Sequence, residues 1–523
     1  MKSIASKYYS LIPTLLLCVF YIYKAIDFPI HDFSNYYFGG NFLADGNFNT
    51  NIYFPYWFNK EIASLGYSGL FCSYAPNSPF LALLFYPSSF LTLASAKLIF
   101  NCLSVLLFIY SLKRLINFYN IKTIYIVLIP LLFFVPIKNE LLFGQVYFLL
   151  FFLLSECFLA YEKEQFKKMA FFLSLAILLK VFPVVLLLLF VFKKQFKPLL
   201  NTFVFCLSLF GISLLFIPLN VWFFYLNSVL PKASNGEIAS AYVDNYQSVF
   251  MFLKRLLVFD SVENSKSLFN YPMLFTALIL AFKVGIITIG FYISKRISNT
   301  LAILSFWILA MILLSPYGST YTFILMLFPY FYLAKADITT AKKGMFIGLL
   351  FLINNLTLSY FIHLHFPFSY LRLLFLGLFF SWFIWLFFKA IQWKWVGLAS
   401  VVSLLFAFFV KENNVIKSNH FTIIKFPILI YDYAISNKQL TYFYWNENGE
   451  NQQNITLCKS NCIPLELKNN QIFYHKKQLT FDNSNKLKPV LFNGKVVVYL
   501  SDYDRGNGFY TFRKIIINSL KNE

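Results

Sequence analysis

Charge is scarce in this chain, and negative charge scarcer still: 13% of the 523 residues are charged, and 22 are Asp or Glu against 44 Lys and Arg. Soluble domains carry roughly a quarter charged residues. A chain with half that share, 59% hydrophobic, 21% aromatic and with a mean hydropathy of +0.65, reads as a polytopic membrane protein. The net charge of +22 does not point to nucleic acid. No soluble basic region with a recognition element is present, and the Lys and Arg fall in short clusters between apolar runs, as cytoplasmic loops do. Also missing is a small-x-small cleavage site before Lys24, so the run 8–22 behind Lys2 and Lys7 is expected to be an uncleaved first span with a cytoplasmic N-terminus. Of seven cysteines, Cys18, Cys102, Cys157 and Cys206 lie in apolar runs, where a thiol behaves as a small hydrophobe, and Cys72 stands alone. Only Cys458 and Cys462 form a close polar pair. Without further Cys or His partners the pair is weak as a metal site, and a disulfide in an oxidising outer compartment is favoured over free thiols or zinc.

Eleven apolar runs between 8 and 410 approach the length of a span, about 20 residues, fewer where flanking side chains snorkel. They include 123–135, 141–160, 272–293 and 300–314. A further run, "MAFFLSLAILLKVFPVVLLLLFVF" at 169–192, is split by Lys180 and Pro183. A single crossing there would put Lys193/Lys194/Lys197, Lys295/Arg296, Lys335/Lys342/Lys343 and Lys389/Lys394 outside, against the positive-inside rule. A hairpin turning at Lys180–Pro183 returns all four clusters to the cytoplasm and sets Lys180 near the outer face. Loops 27–79 and 220–271 and the tail beyond Lys411 then lie outside. The tail alternates in character ("KVVVYL") and carries turn signals at Asn448-Gly449 and Asn493-Gly494, so 411–523 reads as a small β-rich domain. No internal repeat with paired broken helices, the mark of many transporters, is visible.

Several polar residues stand out against this background. In "FPIHDFSNYY" the carboxylate of Asp32 follows the first span beside His31, Tyr36 and Tyr37, either as the cap of a short helix from Ser34 or as a base. The amide- and aromatic-rich stretch 41–57 behind it suits sugars. Lys180 either snorkels or meets a lipid phosphate as a compact point charge. Lys283, within the run 272–293, poses the same puzzle without a motif and reads as packing or snorkelling. Gln145, after Gly144, either bonds a neighbouring helix or holds hydroxyls. "YVDNYQSVFMFLKRLL" at 242–257 offers Asn245, Gln247 and Arg255 ahead of an amphipathic stretch, with Lys254 read equally as a solvated cationic face. In "LLSPYGSTYTF" at 313–323, Pro and Gly explain the turn by themselves.

In this order the motifs resemble glycosyltransferase family 87 of the GT-C superfamily, the polyprenol-phosphate-mannose-dependent α-mannosyltransferases. The matching residues are Asp32 with Tyr36, "YAPNSPF" at 74–80, Gly144-Gln145, Lys180-x-x-Pro183, Asn245/Gln247/Ser248 running to Arg255, and Ser315-Pro316. The resemblance spans roughly 10–329. One departure is that the family follows its Ser-Pro with Trp and His, where this chain reads Tyr317-Gly-Ser-Thr-Tyr321.

The resemblance implies an all-α GT-C-like transmembrane catalytic bundle, here 1–410, in the plasma (inner) membrane, to which the sequence pattern adds 411–523 as an extracytoplasmic β-rich domain. It implies inverting transfer of a sugar, mannose by family, from a polyprenyl-phosphate donor to a glycan or glycolipid hydroxyl at the outer face. Asp32 would be the general base, and Lys180 and Arg255 would hold the donor phosphate. His31, Tyr36, Tyr37, Tyr74, Gln145, Asn245, Gln247, Ser315, Tyr317 and Tyr321 would line the substrates. No metal or other cofactor is expected. A lipid-phosphate leaving group needs no proton, so one carboxylate suffices where glycosidases use two. The rival reading is a lipid-linked-glycan flippase or transporter.

Overall fold

The computed structural model describes residues 9–30, 32–238, 242, 245–260, 263–409, 419–420, 429–436, 439–446, 448–456, 462–492 and 494–517. Helix accounts for 63% of the structure and forms one bundle with a single large apolar core running from Leu11 to Val396. At its centre the helix Thr300–Leu314 is buried at every position from Leu301 to Leu313, as a helix apolar on all sides must be. Trp307 Nε1 donates to Ser294 Oγ at 2.9 Å, which ties this central helix to the antiparallel Pro272–Arg296. All strands among the described residues lie in the C-terminal region.

Among the described residues, four helical segments are long and apolar enough to cross a membrane: Leu93–Phe118, Phe196–Ser213, Pro272–Arg296 and Phe368–Trp385. A fifth appears if the bent pair Phe134–Phe143 and Tyr147–Glu162 counts as one. The other expected spans are shorter or broken, and prolines and amides account for the breaks. The run 123–135 divides into Thr123–Val127 and Ile129–Leu132 before Phe134–Phe143 begins. Pro130 and Pro136 cannot donate to a helix ladder, and two asparagines of Thr340–Asn355 take up the freed groups. Asn354 Nδ2 donates to Leu132 O at 2.9 Å, Asn355 Nδ2 to Leu131 O at 3.0 Å, and Asn355 Oδ1 accepts from Val135 N at 3.1 Å. The run 141–160 breaks at Gly144, so its straight part is Tyr147–Glu162.

The hairpin expected at Lys180–Pro183 is present. The helix Phe166–Leu179 ends there, a 3₁₀ turn covers Phe182–Leu186, and Leu187–Phe192 runs back. Its return is fixed by the far ends: Tyr161 donates to Gln195 Oε1 at 2.7 Å, and the Lys197 ammonium lies 5.9 Å from the Phe166 ring.

The tail is an antiparallel β structure around a five-stranded sheet, in the order Asn419–His420, Thr511–Ile516, Val496–Ser501, Lys486–Phe492, Cys462–Pro464. Alternate side chains of a strand face opposite ways, and "VVVYLS" is buried on both sides. Val498 and Leu500 pack with Ile430, Tyr433, Leu440 and Tyr442 on one face, while Val497 and Tyr499 pack with Ile472, Leu479 and Leu491 on the other. The expected hairpin at Asn448-Gly449 joins Gln439–Asn446 to Gly449–Thr456, closing on the Asn446–Gly449 pair. Asn493 and Cys458 lie outside the described residues; Cys462, the other half of the expected disulfide, is a free thiol.

This tail grips both long loops of the bundle. Tyr56 and Tyr431 stack with ring centres 3.9 Å apart. The fully buried Asp502 carboxylate accepts from Lys232 Nζ at 2.8 Å, Asn485 N at 2.8 Å and Gly508 N at 2.9 Å. Arg505 pairs with Glu263 and Lys254 with Asp504. A Cβ on Gly506 would lie 1.8 Å from the Ile238 carbonyl oxygen, so only glycine permits this approach. Lys254, which the sequence reads equally as a solvated cationic face, is instead buried under the tail at 5% exposure, because Asp504 supplies its counter-charge.

Glu237 sits inside this charged contact. Burial, with Asp504 adding to it, pushes its carboxyl up to about 8 from an ordinary 4.5, although Lys254 and Lys232 pull the other way. The docked state therefore holds a proton that a free carboxylate releases near 4.5. The associated stability is complete below 4.5 and is lost as the pH rises towards about 8. The thermal midpoint should fall between pH 5 and 8 in the wild type, and Glu237→Gln should remove that part of the slope. An unchanged slope in the variant would assign it to another group.

Candidate active site

The site is built on a bend. The helices Phe134–Phe143 and Tyr147–Glu162 meet at 117°, and Gly144 between them is left-handed at φ 66°, ψ 48°. A Cβ here would lie 2.8 Å from Phe33 Cβ. Glu140 fastens the corner: its carbonyl takes the N–H of Gln145 at 2.9 Å, and its Oε1 accepts the Phe148 N–H at 2.8 Å, capping the second helix. Gly144→Ala combines a left-handed penalty of about 1–2 kcal/mol with that overlap. It should cost about 2–4 kcal/mol in all and move Gln145, which a lowered melting point and lost activity would report.

Gln145 reaches from the corner to the helix Asp32–Ala44. Its Nε2 donates to Asp32 Oδ2, and its Oε1 accepts from Tyr36 OH at 2.6 Å. The tyrosine hydroxyl thereby fixes which way the amide faces. Asp32 is the first residue of its helix, two positions before the expected start, so its side chain sits at the positive end of the helix dipole. Tyr36 packs against Phe85 at 5.2 Å, holding the network from behind.

Lys180 lies at the tip of the hairpin. Its Nζ donates to Asn77 Oδ1 at 3.1 Å and stands 5.7 Å from the Tyr36 ring and 6.0 Å from Tyr147. The carboxylates of Asp32 and Glu140 both attract it. The neighbouring Ser78 hydroxyl donates to Leu178 O at 2.5 Å, so consecutive residues of "YAPNSPF" clasp the hairpin and its lysine. Base and cation are thus fixed by one connected set of contacts.

A cavity of about 380 Å³ opens beside Lys180, within the usual range for ligand pockets. Its walls are mostly apolar, and the polar part includes Tyr147, Ser315, Tyr317, Thr322 and the two ammonium groups of Lys180 and Lys283. Among the described residues no three His, Cys, Asp or Glu side chains group as a metal site would require.

Residues 76–316 match the model of glycosyltransferase family 87. The family is one of membrane glycosyltransferases, so the chain is assigned sugar transfer in that broad sense. No curated protein matches the chain. The family 87 segment contains Asn77, Glu140, Gln145, Lys180, Lys283 and Ser315; Asp32 lies before it and joins it through Gln145.

The remaining residues singled out in the sequence are placed around this centre. Ser315 and Tyr317 line the cavity, and the Tyr321 ring lies 5.1 Å from Tyr147. Ser248 holds the Ser315-Pro316 turn, its Oγ donating to Pro316 O at 2.7 Å, whereas the adjacent Gln247 donates from Nε2 to Ser369 O at 3.0 Å, in another turn. Tyr37 and Tyr74 are buried, their hydroxyls donating to Leu91 O and Ser78 O, so both act in packing. Arg255 does not line the cavity; its guanidinium donates to Tyr242 O at 2.6 Å. Asn245 is exposed, and His31 lies outside the described residues. Sequence reasoning passed over Asn77 and Glu140. Asn77 was visible within a quoted motif, and Glu140 as a rare acid four positions before a Gly-Gln.

Proposed function

We propose that the protein transfers a sugar, mannose by family resemblance, from a polyprenyl-phosphate carrier to a hydroxyl of a glycan or glycolipid at the outer face of the membrane. The observation that carries this reading is a carboxylate and an ammonium, Asp32 and Lys180, held together through Gln145, Tyr36 and Asn77, with Lys180 itself in the wall of a cavity that is otherwise mostly apolar. A lipid-linked donor needs such a cavity, with apolar walls for the chain and a cation for the phosphate.

The reaction is a single displacement. Asp32 takes the proton of the acceptor hydroxyl as its oxygen attacks the anomeric carbon. The bond from that carbon to the phosphate oxygen breaks, the configuration inverts, and the electron pair leaves with the phosphate. Lys180 stabilises the charge that collects there. Tyr147 and Ser315 offer hydroxyls to orient the sugar, while the Tyr317 hydroxyl donates to Ala233 O.

The test is transfer of label from radiolabelled polyprenyl-phosphate mannose to a glycolipid acceptor by the purified protein in lipid, beside a nucleotide-mannose control. Labelled product from the lipid donor alone supports the reading. Transfer from the nucleotide donor, or from neither, overturns it.

A further inference from the structure

Lys283 stands within a long apolar helix, where the sequence offers it no role. Its level in the bundle follows from the contact between Ser294 and Trp307. From Ser294 back to Lys283 the helix rises roughly 16 Å, and from Trp307 forward to Ser315 the antiparallel neighbour rises roughly 12 Å in the same direction, at about 1.5 Å per residue. Lys283 therefore comes within about one helical turn of the Ser315-Pro316 turn, and it lines the same cavity as Lys180 and Ser315. The two ammonium groups reach that cavity from different elements, one from the hairpin tip and one from Pro272–Arg296.

Their surroundings differ. Lys180 is held by Asn77 and two tyrosine rings. Lys283 has no hydrogen-bond or ion-pair partner among the described residues, and Ile287, Met311 and Leu314 share its walls. An ammonium in apolar walls without a counter-charge is costly, and such groups mark ligand or ion paths. Lipid-phosphate chemistry supplies the missing charge. A sugar phosphodiester carries one negative charge, and when the bond to the sugar breaks the departing monoester carries close to two. One cation matches the donor; the second matches the charge that appears during the reaction.

We infer that Lys283 is the second cation of the lipid cavity and binds the phosphate of the polyprenyl carrier as it leaves the sugar. This rests on the proposed donor class, since the phosphate is that of the donor lipid. Because the interaction is stronger with the dianion than with the diester, its contribution falls on turnover more than on donor affinity.

The experiment measures binding without any sugar. Purified wild type, Lys283→Gln and Lys283→Arg in nanodiscs of zwitterionic lipid are titrated with polyprenyl phosphate, the matching polyprenol and phosphatidylglycerol. Wild type should prefer polyprenyl phosphate to both others. Lys283→Gln should weaken it about ten- to a hundredfold with polyprenol unchanged, and Lys283→Arg should recover most of the loss. In the transfer assay kcat should fall in Lys283→Gln with little change in KM for the donor. Polyprenyl-phosphate affinity unchanged in Lys283→Gln would overturn the inference, as would equal competition by phosphatidylglycerol, which would give the cation to bulk phospholipid. If the phosphate lipid binds as expected but no polyprenyl donor transfers its sugar, the proposed function fails and the site stands. A Lys283→Gln that melts early is answered by the Arg variant, whose failure to restore binding also counts against the inference.

Discussion

Asparagine in place of Asp32 is expected to slow sugar transfer about 10²–10⁴-fold, the usual contribution of a positioned general base, while the melting temperature stays close to that of the wild type. The amide matches the carboxylate in shape, and Gln145 decides how it sits. Tyr36 already donates to Gln145 Oε1, so Gln145 Nε2 must face residue 32, and the Asn oxygen can still accept from it. The substitution removes the basic lone pair and the charge while leaving the contact that joins the helix Asp32–Ala44 to the corner at Gly144. A rate within about tenfold of the wild type, too small for the loss of a base, would remove Asp32 from the proton transfer. Loss of rate together with an early melt would return it to the role of helix anchor.

Replacing Lys180 with glutamine is expected to cost about 10²–10³-fold in kcat, the scale seen when one group facing a developing anion is removed. Glutamine keeps a donor for Asn77 Oδ1 and most of the side-chain length, so the clasp between "YAPNSPF" and the hairpin tip has a replacement contact. What disappears is the charge, together with its attraction to Asp32 and Glu140. Arginine should not rescue fully, because a planar fork is a different shape from a point charge and must fit between the rings of Tyr36 and Tyr147. Single-turnover rates with the lipid donor, set beside donor affinity, separate this from a binding defect. A raised KM with an unchanged kcat would mean that Lys180 holds the donor equally in ground and transition states.

Much of the fold was legible because it follows from one-dimensional patterns. Apolar runs marked the helices, and the positive clusters alone required 169–192 to double back; Tyr161 and Gln195 now meet across its base. "KVVVYL" announced a strand, although not that both of its faces would be covered. The breaks were less legible. The run 123–135 reads as one span until Asn354 and Asn355, more than two hundred residues later, offer amides that make a broken backbone tolerable. Lys254 looked solvated because its partner, Asp504, lies in a separate region of the chain.

Composition and order by themselves determined that this chain is a helical bundle with a β-rich tail, and that its scarce polar groups are where chemistry should be sought, because charge in an apolar run is costly wherever the run is placed. Which of those groups act together was decided only by the tertiary structure. The bend at Gly144 brings Gln145 to Asp32 across more than a hundred residues, the hairpin carries Lys180 to Asn77, and the register between Ser294 and Trp307 lifts Lys283 to the same cavity. Hydrogen bonds and ion pairs act over a few ångströms, and distance along the chain says nothing about which residues a fold will bring within that range.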